Sequence, residues 1–139
     1  MFASETQVRV RYAETDQMGY VYYGNYPMYY EVARVEAFRK LGFPYKSLED
    51  MGIGMPVLDM NIKYHSPGKY DELLTLKVAI PEMPGARIKF LYEIFNEAGK
   101  KINEGSTTLV FMKMENGRPI RLPQVMHDLL IPFFNDKIQ

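Results

Sequence analysis

The chain has 139 residues and balances 17 basic against 17 acidic side chains, so it reads as one domain, residues 1–139, with no net charge to draw it to nucleic acid or an anionic membrane surface. It holds no cysteine, which excludes disulfides, a thiolate nucleophile and thiolate metal ligation. No stretch nears the roughly 18 consecutive apolar residues of a membrane span, and MFASETQVRV lacks the pattern of a signal peptide, so a cytoplasmic protein is expected.

Residues 6–12 alternate apolar and polar and read as a strand. Residues 13–24, with Asp16, Gln17, Gly19 and Gly24, read as a loop. Helical spacing follows from Asn25 to Leu41, with apolar residues at Tyr26, Tyr29, Tyr30, Ala33, Ala37, Phe38 and Leu41 and more of the circumference filled by Val32 and Val35. Only Glu31, Arg34, Glu36, Arg39 and Lys40 interrupt this coat, so the helix is expected to be covered on most sides. Asn25 suits the N-cap, Pro27 the first turn and Gly42 the stop. A second, short helix fits residues 44–51, ended by Gly52.

The period then changes to two. Residues 57–64 put Leu58, Met60, Ile62 and Tyr64 on one face. Residues 72–80 do the same with Leu74, Leu76, Val78 and Ile80, and residues 87–95 with Ile88, Phe90, Tyr92 and Ile94. A long strand fits 101–114, and 123–134 read as a short helix interrupted at Pro132. Pro67-Gly68, Pro84-Gly85, Gly99 and Asn116-Gly117 punctuate these segments. The simplest packing of this order is α+β, an antiparallel sheet of about five strands wrapped around one long apolar helix.

Asp16 is the first candidate for chemistry. A lone acid beside a helix N-terminus can attack a carbonyl or activate water, while free backbone N–H groups hold the developing oxyanion. The same residue type also serves simply as a turn former. The backbone donors of Tyr23, Gly24 and Asn25 are placed for the oxyanion, with Gly24 answering either a close approach or a positive φ. Six of the eleven tyrosines fall in residues 20–30. Tyr22 and Tyr26 are candidates for lining a site, whereas Tyr29 and Tyr30 carry core spacing. His65 and His127 are the only imidazoles and stand 62 positions apart, which gives no metal motif and no recognisable partner for a serine triad. No phosphate-binding glycine loop is present, and no cofactor is implied.

The segment YAETDQMGYVYYGNYPMYY resembles the active-site loop of the hotdog-fold acyl-CoA thioesterases, in the 4-hydroxybenzoyl-CoA thioesterase-like branch. The family pattern is an Asp, a Gly three residues on, then a hydrophobic-Val-Tyr-x-x-x-Tyr run, matched here by Asp16, Gly19, Val21, Tyr22 and Tyr26. GIGMPVLDMNIKYHSPGKYDELLTL is similar to the family's second conserved segment, so the likeness spans roughly residues 6–130. It implies a hotdog fold, an acyl-CoA substrate and a homodimer or homotetramer. It also implies a catalytic Asp16, an oxyanion donor in the main chain of Tyr23, His65 near the ligand, and Arg87, Lys63, Lys69 or Lys89 near the CoA phosphates. Many relatives carry a His directly after the position of Tyr22, where this chain has Tyr23, so the chemistry must run without that imidazole. The competing readings are a hotdog hydratase or dehydratase, which the missing His disfavours, and a non-catalytic acyl-CoA-binding module, which has no use for Asp16.

Overall fold

The computed structural model describes residues 1–135. Its elements are β1 (Phe2–Arg9), α1 (Tyr26–Leu41), α2 (Tyr45–Asp50), β2 (Ile53–Gly54), β3 (Val57–Tyr64), β4 (Leu73–Ile80), β5 (Arg87–Phe95), β6 (Lys101–Lys113), β7 (Pro119–Ile120) and α3 (Gln124–Leu130), with 3-10 turns at Tyr12–Glu14, Tyr23–Asn25 and Ile131–Phe133. The strands form one antiparallel sheet. Its long strands run β1-β4-β5-β6-β3, and the short β2 and β7 also pair with β6. Five long strands against one long helix are the α+β, hotdog arrangement expected. No helix among the described residues is long and apolar enough to cross a membrane.

The two-residue period holds where both sheet neighbours exist. Leu74, Leu76, Val78 and Ile80 on β4 and Ile88, Phe90, Tyr92 and Ile94 on β5 are all 4% exposed or less. They meet Tyr30, Ala33, Ala37 and Phe38 of α1, themselves buried. Gly42 ends α1 at φ 94, and its N–H returns to carbonyls of the last turn. On β3 the faces follow the predicted alternation, since Met60, Ile62 and Tyr64 sit opposite the inward Thr107, Gly105 and Asn103. β3 is an edge strand, however, and Val57, Leu58, Met60 and Tyr64 are all exposed.

Three expectations are corrected. The first strand lies at Phe2–Arg9 rather than 6–12, because β4 offers a full-length partner that pairs Phe2 with Ile80. Arg34 does not interrupt the buried face of α1. One turn from Tyr30 and from Phe38, it is 7% exposed, donating to the hydroxyls of Tyr45 (3.2 Å) and Tyr92 (2.9 Å). The helix is also less covered than its composition suggests, with Met28 44% and Val32 36% exposed on its outer side.

Candidate functional site

The loop between β1 and α1 consists of two successive turns, each built round a carboxylate. In the first, Glu14 reaches back to residue 11. Its Oε1 accepts from the Arg11 backbone N–H at 2.9 Å, and its Oε2 takes the Arg11 guanidinium at 2.9 and 3.0 Å. Tyr29, one turn into α1, donates its hydroxyl to Oε1 at 2.9 Å. Burial would raise the Glu14 carboxyl, but the hydrogen bonds from Arg11 and Tyr29 outweigh it and hold the group below the ordinary carboxylate value. Burial, then the neighbouring Glu14 charge, pushes the Tyr29 phenol well above its usual range, which keeps it a donor. The Glu14 carbonyl also accepts from the Tyr22 N–H (2.9 Å) and the Asn25 side-chain amide (2.8 Å). Glu14 therefore fixes both the loop and the entry to the helix.

The second turn is Asp16 to Tyr20. Asp16 Oδ1 accepts from the N–H groups of Met18 (2.9 Å) and Tyr20 (3.2 Å). The backbone closes the same turn, with the Asp16 N–H on the Tyr20 carbonyl at 2.8 Å and the Gly19 N–H on the Asp16 carbonyl at 3.1 Å. Gly19 sits at φ 78, a left-handed conformation that a side chain resists. This is the physical content of the Asp-x-x-Gly spacing: the acid caps the turn with one oxygen and the glycine lets it close. Among the described residues Asp16 Oδ2 has no hydrogen-bond partner. The half-exposed Asp16 side chain lines a cleft of about 340 Å³ with Tyr20, Val21, Tyr23, Tyr26, Tyr64, His65, Ser66 and Pro67. A larger hollow of about 680 Å³ lies over the outer face of the sheet at Ala3, Ala79 and Leu91. Size does not select it, because it borders neither the loop nor a helix end.

The loop is stitched to the β3–β4 connection as well. Val21 N–H donates to the Gly68 carbonyl (2.8 Å), Tyr70 N–H to the Gly19 carbonyl (2.9 Å), and Gly68 N–H to the buried Tyr26 hydroxyl (3.2 Å). Tyr64, at the end of β3, packs edge-on against Tyr26 with ring centroids 5.4 Å apart and donates its hydroxyl to the Tyr23 carbonyl at 3.0 Å.

The candidate residues divide accordingly. Asp16, Tyr23, Tyr26 and His65 come together on the cleft. The Tyr23 and Gly24 N–H groups, at the open start of the helical segment, have no backbone acceptor among the described residues. Asn25 corrects the expectation twice: its N–H is spent on the Tyr22 carbonyl at 2.9 Å, and its side chain pins Glu14 instead of capping the helix. Gly24 has no positive φ. A Cβ there would stand 2.7 Å from a ring carbon of the exposed Tyr22, so the ring would have to shift to admit a side chain. Tyr22 covers Gly24 and packs on Tyr23 (centroids 4.6 Å), with no side-chain face on the cleft. His65 Nε2 is engaged by Glu104 Oε2 at 2.7 Å, and that contact, then Lys101, lowers the Glu104 carboxyl. Arg87 opens β5 on the outer face, away from the cleft. Among the described residues no group of three or more metal-ligating side chains forms.

Glu14 and Tyr64 are the residues that the sequence reading passed over. Glu14 supplies only the acidic half of a capping box, reaching back to the N–H of residue 11, and Arg11 cannot complete it because a guanidinium accepts no hydrogen bond, so the signal in sequence was no more than an Arg and a Glu three apart. The alternation of β3 already placed Tyr64 on the helix side.

Residues 10–130 match the family model described as the thioesterase-like superfamily. A Bacillus subtilis protein provisionally named acyl-CoA thioesterase YneP is 35% identical over 128 residues, covering 92% of this chain and 93% of that one. The acyl-CoA thioester hydrolase YbgC of Escherichia coli O6:H1 is 31% identical over 117 residues, covering 84% of this chain and 87% of its own. The crystal structure of a DHNA-CoA thioesterase from Staphylococcus aureus superposes with a TM-score of 0.91 at 38% identity, over 100% of this chain and 97% of the other.

Proposed function

The chain belongs to the thioesterase-like superfamily, and from that premise we propose that it hydrolyses the thioester of an acyl-CoA to the free acid and CoA. The observation that carries this reading is that one cleft is lined both by Asp16, a carboxylate with one unpartnered oxygen, and by Tyr23, whose N–H opens the helical segment beside that of Gly24 with no backbone acceptor among the described residues. A thioester carbonyl between them meets Asp16 Oδ2 on one side. The N–H groups of Tyr23 and Gly24 receive the negative charge that develops on its oxygen. Asp16 attacks the carbonyl carbon and the tetrahedral adduct expels CoA thiolate, leaving a mixed anhydride that water then cleaves; or Asp16 takes a proton from an attacking water. Both routes need the same geometry and no imidazole, in keeping with Tyr23 standing where many relatives have His.

The buried Tyr26 and the half-engaged His65 border the acyl thioester in this reading. Tyr22 acts indirectly, by shaping the Gly24 backbone. The protein works as a homodimer or homotetramer, supported by the unpaired edge of β3 with its exposed Val57, Leu58 and Met60. Arg87, outside the cleft of its own protomer, serves the CoA phosphates across such a contact, together with Lys63, Lys69 or Lys89. The test is thiol release followed with DTNB over acyl-CoAs of varied chain length and aromatic character. At least one is hydrolysed with turnover. Tight binding of acyl-CoA without release from any of them contradicts the reading and leaves a binding module.

A further inference from the structure

Oxyanion stabilisation by main-chain donors depends on where two peptide planes point, and the plane between Tyr23 and Gly24 has an unusual support. In an α-helix the Tyr23 carbonyl would accept the N–H four residues on, but that residue is Pro27, which has none. Tyr23–Asn25 is a 3-10 turn, whose own donor to this carbonyl is the Tyr26 N–H three residues on, and the hydroxyl of Tyr64, arriving from the end of β3, donates to the same carbonyl at 3.0 Å. The Tyr64 ring is held by its edge-on contact with the buried Tyr26, and Tyr26 is tied in turn to the Gly68 N–H. A trans peptide is planar, with its C=O and N–H pointing in opposite directions. A donor locked onto the Tyr23 oxygen therefore fixes the direction of the Gly24 N–H. The same bond polarises the peptide and strengthens that N–H as a donor. The support falls beside a glycine, where the backbone has most freedom to turn.

We propose that Tyr64 is a positioning residue for the hydrolysis: through the Tyr23 carbonyl it orients and strengthens the Gly24 N–H as an oxyanion donor. This rests on the hydrolase reading above. Tyr64 is half-exposed and lines the cleft, so a purely binding role would act on substrate affinity. A positioning role acts on the transition state.

Tyr64→Phe keeps the ring against Tyr26 and removes only the hydroxyl. The expected result is a fall in kcat of roughly tenfold with KM unchanged, since the interaction strengthens only as charge develops. Affinity for a trifluoromethyl-ketone CoA analogue, which captures an oxyanion-like adduct, falls by about the same factor, while affinity for a thioether analogue without a carbonyl is kept. The Gly24 amide resonance moves in the proton–nitrogen correlation spectrum of the variant. Unchanged kcat in a folded Tyr64→Phe enzyme, or a loss confined to KM, overturns the assignment. Absence of thiol release from the wild-type protein overturns the hydrolase reading and this assignment with it, so the two failures are told apart.

Discussion

Glu14 and Asp16 stand two residues apart, and the structure holds them in opposite ways. Glu14 is 6% exposed and has donors on both oxygens, from Arg11 and from Tyr29. Asp16 lies on an open cleft with donors on one oxygen only. A carboxylate saturated with donors is a poor nucleophile and a poor base, but a good anchor. One held by a single oxygen is oriented and still reactive. The first turn thus fixes the frame and, in the proposed hydrolysis, the second presents the chemistry, within eleven residues, 12 to 22.

Substitutions can break this division of labour. Asp16→Asn keeps an oxygen to accept from Met18 and Tyr20, so the turn survives while the reactive oxygen is lost. We expect kcat to fall by roughly 10²-fold or more, with thermal stability and acyl-CoA affinity nearly unchanged, in steady-state kinetics beside calorimetry. A large fall in melting temperature would show that Asp16 is an anchor as well. Glu14→Ala strands the Tyr29 hydroxyl and the Arg11 N–H, at a cost of about 2 kcal/mol of folding stability measured by denaturant unfolding. Activity then declines through the displaced loop. If Glu14→Ala proved as stable as wild type, the anchoring role would be lost. Gly19→Ala forces a side chain into φ 78 and should cost about 1 kcal/mol by the same measurement. The smallest effect is in the acid limb of stability. Because the folded state holds Glu14 below its ordinary value, its contribution is fully present above the unfolded carboxyl pKa of about 4.3 and is lost as pH falls through the lowered folded value. Glu14→Gln should therefore flatten the decline of melting temperature between about pH 5 and 3 relative to wild type.

The same contrast explains how much could be read from the sequence. The Asp16 turn was legible because its chemistry is local: the donors of Met18 and Tyr20 and the φ of Gly19 lie within four residues. The core faces of β4 and β5 were legible because each has a strand on both sides, so the period-two pattern converts directly into burial. Glu14 was not, because two of its defining partners, Tyr29 of the helix and Asn25 of the 3-10 turn before it, lie eleven or more residues on. Arg34 was misread for a related reason: its charge suggested solvent, but the hydroxyls of Tyr45 and Tyr92 are supplied by α2 and β5. The expected Asn25 N–H donor failed because a 3-10 turn spends it on Tyr22. Residues whose partners are nearby in sequence declare themselves; those completed by tertiary contacts do not.

The proposed hydrolysis requires a thioester carbonyl between the free oxygen of Asp16 and the amides of Tyr23 and Gly24. A crystal structure of the Asp16→Asn protein with an intact, slowly turned-over acyl-CoA measures this directly. The carbonyl oxygen is expected about 3 Å from the Tyr23 or Gly24 nitrogen, with the side chain at position 16 facing the carbonyl carbon. An acyl-CoA ordered elsewhere, with its carbonyl turned away from both amides, would contradict it.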